Sequence, residues 1–410
     1  MRLAATLFLA ALGSACASLP DPVERFYRGD YEGAAAGFAE RAHAVDRSFA
    51  LHQNDYATAA LCAGDLRDAR RAFLEAGQVM GNFDGSATRE LAALIGSESL
   101  KVWKGDPYEK AMNSFYAGLL FFRDGQYDNA LAGCKNGLLA DGDSKDENAQ
   151  SDFTLLHLME GLCQRRLGRP DEAARAFALA RASLEGRSSN AGLEPVIRGD
   201  WNTVLVIGLG AGPVKYRDGP HGSWARFAPA GYPERAVRVS VDGAAPTAAA
   251  QAADLFFQAS TRGGRPMDHI LAGKAVLKDA LLASGTVLLA SGLETPHSGQ
   301  SNALVIAGGV ALLVGALLTP QADVRHWETL PGEVHLWAGW LEPGTHTLRL
   351  EFEDGGGYAL PSLTQYWHHV PVRGRGENVY CFRAAGTPPP RCPPPRESHG
   401  GLSVGFSVSR

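Results

Sequence analysis

The spacing of apolar and polar positions changes near Thr203. Before it, apolar and small residues return every three or four positions, the period of one helix face. After it the pattern moves towards period two, the signature of strands. "RAVRVSVDG" from Arg235 alternates and ends in Asp242-Gly243, a turn signal. "EVHLWAGWL" from Glu333, "THTLRLEFEDGGG" from Thr345, "YWHHVPVRG" from Tyr366 and "ENVYCFR" from Glu377 are further strands. Turn residues separate them at short intervals, as in a β-sandwich. Two apolar helical segments interrupt, Pro266 to Ser291 and Asn302 to Leu318. The pattern predicts an α+β chain. A helical domain covers 16–190, and a β-sandwich-like domain covers 200–385 with a helical insertion at 266–318.

The helical region repeats itself. Gly161, Gly168, Ala173, Phe177 and Ala180 share their offsets with Gly118, Gly125, Ala130, Cys134 and Gly137. Ala57, Gly64, Ala69, Phe73 and Ala76 follow the same spacing, and Gly29, Tyr31, Ala34 and Phe38 form a fragment of it. A small residue in each helix lets its partner approach. The glycine between helices allows the tight turn, and the bulky slot fills the groove to the next pair. These spacings resemble the tetratricopeptide repeat, here a degenerate array with insertions. Ahead of the third unit, Pro107 after Asp106 suits a first helical turn, so Asp106 is read as an N-cap rather than as a catalytic partner of Glu109.

The start of the chain adds a location. "MRLAATLFLAALGSAC" has one basic residue, an uncharged run and small residues before Cys16. It reads as a secretory signal over 1–15, too short to span a bilayer as a mature helix. The Cys after Leu12-Gly13-Ser14-Ala15 resembles a bacterial lipobox, which implies acylation at Cys16; the alternative is cleavage near Ala17. Ala17 after the Cys resembles outer-membrane sorting, facing the periplasm. The composition is ordinary, 45% hydrophobic and 20% charged, so the chain can bury real cores. A net charge of −5 leaves no electrostatic footprint for nucleic acid. The other five cysteines show no C-x-x-C pair, which argues against a structural zinc site. Cys381 and Cys392 flank a Pro-rich loop and are a possible disulfide, with two unpaired thiols as the alternative. The stretch "TPPPRCPPPRESHGG" marks 386–410 as a Pro-rich tail.

Several stretches invite chemistry. "VLVIGLGAG" from Val204 begins like a dinucleotide-binding turn. The fingerprint's third glycine falls on Pro213, and "PVKYRDGPHGSW" carries no helical stripe to aim at a phosphate. No nucleotide and no other cofactor is therefore expected. Asp323, His326 and Glu328 lie close together in "DVRHWETLP". If that segment is a strand, Asp323 and Arg325 pair on one face and Trp327 fills the sandwich edge. His368 and His369 would point to opposite faces of a strand, which one metal cannot easily use. No H-E-x-x-H or P-loop occurs. The uncharged run 303–318 reaches about 24 Å as a helix, short of a ~30 Å hydrocarbon core. It reads as a buried helix, or else as a membrane-dipping hairpin.

Three segments extend the resemblance. "VWKGDPYEKAM" at 102–112, "GLGAGPVK" at 208–215 and "ADVRHWETLPGEVHLW" at 322–337 occur in that order, followed by "LEPGTHTL" at 341–348. Together they resemble a family of bacterial outer-membrane lipoproteins with an N-terminal tetratricopeptide half and a C-terminal β half. The resemblance covers most of the chain and implies no particular reaction. It implies protein partners in the cell envelope. Stacked tetratricopeptide pairs form a concave face that binds peptide or protein segments, so the expectation is a lipid-anchored scaffold or adaptor and no enzyme. The alternatives are an envelope hydrolase acting on glycan or peptide, and a membrane-inserting assembly factor using helix 303–318.

Overall fold

A computed structural model describes residues 21–82, 102–142, 151–184, 190–218, 224–262, 265–266, 322–384 and 386. The fold is mixed, with helices first and sheets after. The helices are α1 (Pro22–Tyr27), α2 (Tyr31–Ala42), α3 (Phe49–Ala63), α4 (Leu66–Met80), α5 (Pro107–Arg123), α6 (Tyr127–Asp141), α7 (Thr154–Arg166), α8 (Pro170–Ala182) and α9 (Glu194–Arg198). A short α10 (Leu255–Ser260) lies among the strands.

Shared turn chemistry sets the helix boundaries. Gly64 ends α3 in the left-handed region, at φ 87°, and the Asp65 side chain then accepts the Asp68 N–H at 3.1 Å to start α4. Asp30 starts α2 in the same way through Gly33. Gly125 and Gly168 hold φ 74° in the two later turns. Between the helices the repeat slots are buried: Ala69, Phe73, Ala130, Ala173 and Phe177 all face apolar neighbours. Gly161 lies flat under the Phe177 ring, where a Cβ would overlap it. Gly118 lies against the backbone of Ala130.

The strands are β1 (Thr203–Leu209), β2 (Val214–Asp218), β3 (Trp224–Ala228), β4 (Glu234–Val241), β5 (Thr247–Ala248), β6 (Ala250–Asp254), β7 (Thr261–Arg262), β8 (Arg265–Pro266), β9 (Glu333–Gly339), β10 (Gly344–Asp354), β11 (Gln365–Val372) and β12 (Asn378–Arg383). One four-stranded sheet has the order β12-β1-β9-β6, the other β11-β10-β4-β5. The five strand segments expected from alternation are β4, β9, β10, β11 and β12. Asp242-Gly243 supplies positive φ at both positions of the turn after β4. The expected helices over 266–291 and 302–318 lie outside the described residues, except Pro266 itself, which ends β8.

Every residue of β1 is buried, and alternate side chains look in two directions. Val204 and Val206 join one apolar cluster with helix residues such as Phe73, Tyr116 and Leu156. Leu205, Ile207 and Leu209 join a second cluster with Val237, Val239, Leu348, Leu350 and Phe352 of the other sheet. That is why "VLVI" reads as an unbroken apolar run. The first cluster crosses the helix–sheet boundary, so the two halves complete one another's core. A polar tie adds to it: Arg166 on α7 donates to the buried Glu377 at 2.5 Å, and Tyr127 donates to the same carboxylate at 3.1 Å.

Candidate functional site

The segment "ADVRHWETLPG", 322–332, forms no strand. It runs as an irregular strap from the sheet half across the helices, then enters β9. This corrects the strand expected there. Asp323 and Arg325 do pair, at 2.5 Å, but within a local turn in which Asp323 also accepts the Arg325 N–H at 3.0 Å. Arg325 donates onward to the Arg47 carbonyl at 2.8 Å and the Ser48 hydroxyl at 2.9 Å.

Trp327 is also placed differently from the expectation. It fills a helical pocket rather than a sheet edge. Its ring centroid lies 6.0 Å from Phe73 and 6.1 Å from Tyr116. Its indole N–H donates to the hydroxyls of Thr58 and Thr329, at 3.2 and 2.8 Å. Two residues on, Thr329 donates through its N–H and hydroxyl to Asp55 of α3, at 3.1 and 3.0 Å. Burial pushes the Asp55 carboxyl well up, the Glu328 charge adds to this, and the Thr329 bonds oppose it.

A second group of charges clamps the strap from the other side. Lys215, on β2 just after the glycine loop, is buried. Its Nζ reaches Asp106 at 2.5 Å, Glu109 at 3.1 Å and the Arg325 carbonyl at 2.9 Å. Asp106 N-caps α5, and Glu109 accepts the Asp106 N–H at 2.7 Å. The other oxygen of Glu109 accepts the Trp327 N–H at 2.8 Å. Glu109 is 0% exposed, so each of these bonds is made away from water. Burial pushes its carboxyl up and Lys215 pulls it back. Burial alone would lower the Lys215 ammonium. The two carboxylates outweigh that and raise it.

The glycine loop belongs to the same assembly. Gly210 sits at φ 59° with Tyr232 packed on it and donates its N–H to Glu234 at 2.9 Å. The Gly212 N–H donates to the Leu330 carbonyl at 2.8 Å. Two of the loop amides that a phosphate would need are thus engaged on the protein itself, and a β2–β3 hairpin follows where a nucleotide fold has a helix. Arg383 of β12 closes the strap's far end, donating to the Thr329 and Leu330 carbonyls under the rings of Phe26 and Tyr27.

The histidines are dispersed. His326 is half-buried, accepts or donates at the Val324 carbonyl (3.1 Å), and burial holds its pKa down. His368 and His369 sit at a β-bulge opposite Thr347, both exposed, with His369 at φ 60°; the bulge breaks the strict alternation expected there. A different pair was missed. Glu333 and His335 share one face of β9, with Nε2 to Oε2 at 3.0 Å, and Tyr232 donates to the other Glu333 oxygen at 3.2 Å. The i, i+2 spacing in "EVHLW" carried that signal. Lys215 was the other omission: a charge at the buried start of β2, with its partners more than a hundred residues away.

Among the described residues, no three His, Cys, Asp or Glu side chains gather to hold a metal ion. No described helix is long and apolar enough to cross a membrane. Cys381 carries a free thiol on β12, while Cys16 and Cys392 lie outside the described residues. The chain matches no known family model and no curated protein.

Proposed function

We propose that this chain is a lipid-anchored scaffold or adaptor of the bacterial cell envelope, held by Cys16 at the outer membrane and facing the periplasm. In this reading the helical half is a tetratricopeptide-like array and the two four-stranded sheets form a sandwich docked on it. The observation that carries the proposal is the strap. Asp106, Glu109, Arg325 and Trp327 are consumed in bonds between the halves, and Asp323 in a local turn with Arg325, giving a stiff body rather than an open reactive cleft. The strap already fills the helix surface around Phe73 and Tyr116, so a partner docks on the remaining outer faces. There Leu139 of α6 and Leu179 of α8 are exposed.

Photocrosslinking in cells tests this. A crosslinking residue at Leu139 or Leu179 is expected to give one discrete adduct in the membrane fraction. The same residue at Trp340 or Tyr358, exposed on the sheet half, is expected to give none. Cys16→Ser is expected to move the protein to the soluble fraction and abolish the adduct. A Cys16→Ser protein that stays with the outer membrane defeats the anchor. Adducts from the sheet positions alone defeat the helical docking face.

The Glu333–His335 pair favours a second reading, an envelope hydrolase. His335 is 3% exposed, which leaves little room for substrate at that ring. A changed peptidoglycan fragment profile in His335→Gln cells, with protein level unchanged, would support it.

A further inference from the structure

The strap is held by its main chain. Lys215 and the Trp103 indole both donate to the Arg325 carbonyl, at 2.9 and 3.2 Å. Glu109 accepts the Trp327 N–H at 2.8 Å, and Tyr27 of α1 donates to the Glu328 carbonyl at 2.8 Å. Asp55 accepts the Thr329 N–H at 3.1 Å, and Arg383 donates to the carbonyls of Thr329 and Leu330 at 3.3 and 3.2 Å. All these holding side chains are buried. They come from α1, α3, α5, β2 and β12, and from Trp103 ahead of α5, so both halves of the chain wall the groove. Among the described residues, no strand pairs with 325–330.

Alternate side chains are read separately. Arg325 reaches the Arg47 carbonyl and the Ser48 hydroxyl. Trp327 fills the pocket of Phe73, Tyr116 and Thr58. The Thr329 hydroxyl donates to Asp55 at 3.0 Å and accepts the Trp327 indole N–H at 2.8 Å. Bonds to the main chain with pockets for every second side chain are how a receptor holds a peptide: the first give affinity, the second selectivity. A loop that only joins two elements runs over the surface and leaves its main chain to water or to its own turns.

We propose that the groove beneath the strap is a peptide-binding site, occupied here in cis by residues 325–330. It takes a partner segment with a tryptophan, a basic side chain two residues before it and a hydroxyl two residues after it. The incoming segment remakes the strap's own bonds, so the two halves stay clamped while the strap is displaced. A tethered segment competes at an effective concentration on the order of millimolar. The strap therefore keeps dilute peptides out, and a partner enters when the strap is weakened or when the partner is itself held close. This site is separate from the outer faces of α6 and α8 and does not depend on the scaffold reading.

The probe is a fluorescein-labelled peptide, ADVRHWETLPG, the sequence of residues 322–332. Its anisotropy is followed with the full chain as wild type, as Trp327→Ala and as Trp327→Phe. The alanine empties the pocket. The phenylalanine keeps a ring against Phe73 and Tyr116, and carries the test if the alanine variant does not fold. Folded variants are expected to bind the peptide about tenfold or more tightly than wild type, because their own strap competes less well. A peptide with alanine for its tryptophan is expected to bind about tenfold or more weakly. The native peptide should also raise the melting temperature of the variants and leave that of wild type unchanged. Equal binding to wild type and variants would overturn the proposal, since the peptide then sits elsewhere. So would equal binding of native and scrambled peptides, or no binding to a variant whose circular dichroism matches wild type. None of these results bears on the crosslinks expected at Leu139 and Leu179, so the two proposals fail separately.

Discussion

Replacing Lys215 with Met tests the clamp most directly. The change keeps the length of the side chain and removes its charge. Glu109, 0% exposed, then faces Asp106 with no cation between them. Breaking a buried ion pair from one side costs about 3–5 kcal/mol, because the remaining charge stays desolvated. Glu109 keeps the N–H bonds of Asp106 and Trp327, so about 3 kcal/mol, the low end of that range, is expected. Glu109→Gln alone is also destabilising, since Lys215 is left with Asp106 and a carbonyl. The double variant should lose less than the two singles together, because neither charge is then stranded. The pH dependence has a definite sign. Burial already raises the folded pKa of Glu109, and removing Lys215 removes the main group that lowers it. A raised carboxyl pKa favours folding as pH falls towards the unfolded value near 4.3. The gap between wild type and Lys215→Met should therefore narrow from pH 8 to pH 5. In the wild type, the raised Lys215 pKa contributes stability that is complete below about 10.4 and is lost at higher pH. Urea unfolding followed by tryptophan fluorescence reads both effects, since Trp103 and Trp327 sit beside the clamp. A loss below about 1 kcal/mol, or one that does not change with pH, would refute the reasoning.

Three further outcomes follow from the same geometry. Trp327→Ala should cost about 3–5 kcal/mol and broaden the transition of both halves, whereas exposed Trp340→Ala should stay within about 0.5 kcal/mol; equal effects in urea melts would contradict the strap's role. Gly210→Ala should cost about 1–3 kcal/mol, because the left-handed φ is strained and the new Cβ overlaps the Tyr232 ring; an unchanged melting temperature would count against that packing. Asp242→Asn keeps a residue that tolerates its positive φ but weakens the 2.6 Å contact with His346. The His346 pKa is raised and the Asp242 pKa lowered, so their contribution is largest between about pH 4 and 6.5. The variant's loss in melting temperature should be larger at pH 5.5 than at pH 8, and equal losses would exclude the pair.

Local chemistry was legible in the sequence, and distant chemistry was not. The glycine and aspartate turns at 29–30 and 64–65 repeat because each one ends a helix and caps the next within a few residues. The small and aromatic repeat slots follow from contact between neighbouring helices. Asp106 was identifiable as a cap because its partner is three residues away. The strap had no such signal. "DVRHWETLP" alternates well enough to pass for a strand, yet its bonds go to Asp55, Glu109 and Lys215, all more than a hundred residues distant. Only the folded chain brings those groups together.

That separation has a physical consequence for the chain as a whole. The cluster around Phe73 and Tyr116 is completed by Trp327, Leu330 and Val334, and Val204 and Val206 of β1 cover the same core. Cutting between the halves near residue 190 would leave this apolar surface in water, and would also leave Asp55 and Glu109 without the Thr329 and Trp327 donors. Removing donors from buried acceptors costs about 1–3 kcal/mol for each, before any apolar area is counted. Neither half therefore carries its whole stability alone. The repeat pattern describes how the helices pack on one another, while the strap decides whether the stack stays closed. The shape of the outer helical surface is consequently held from beneath by residues of the sheet half, and the docking proposed for Leu139 and Leu179 depends on that support.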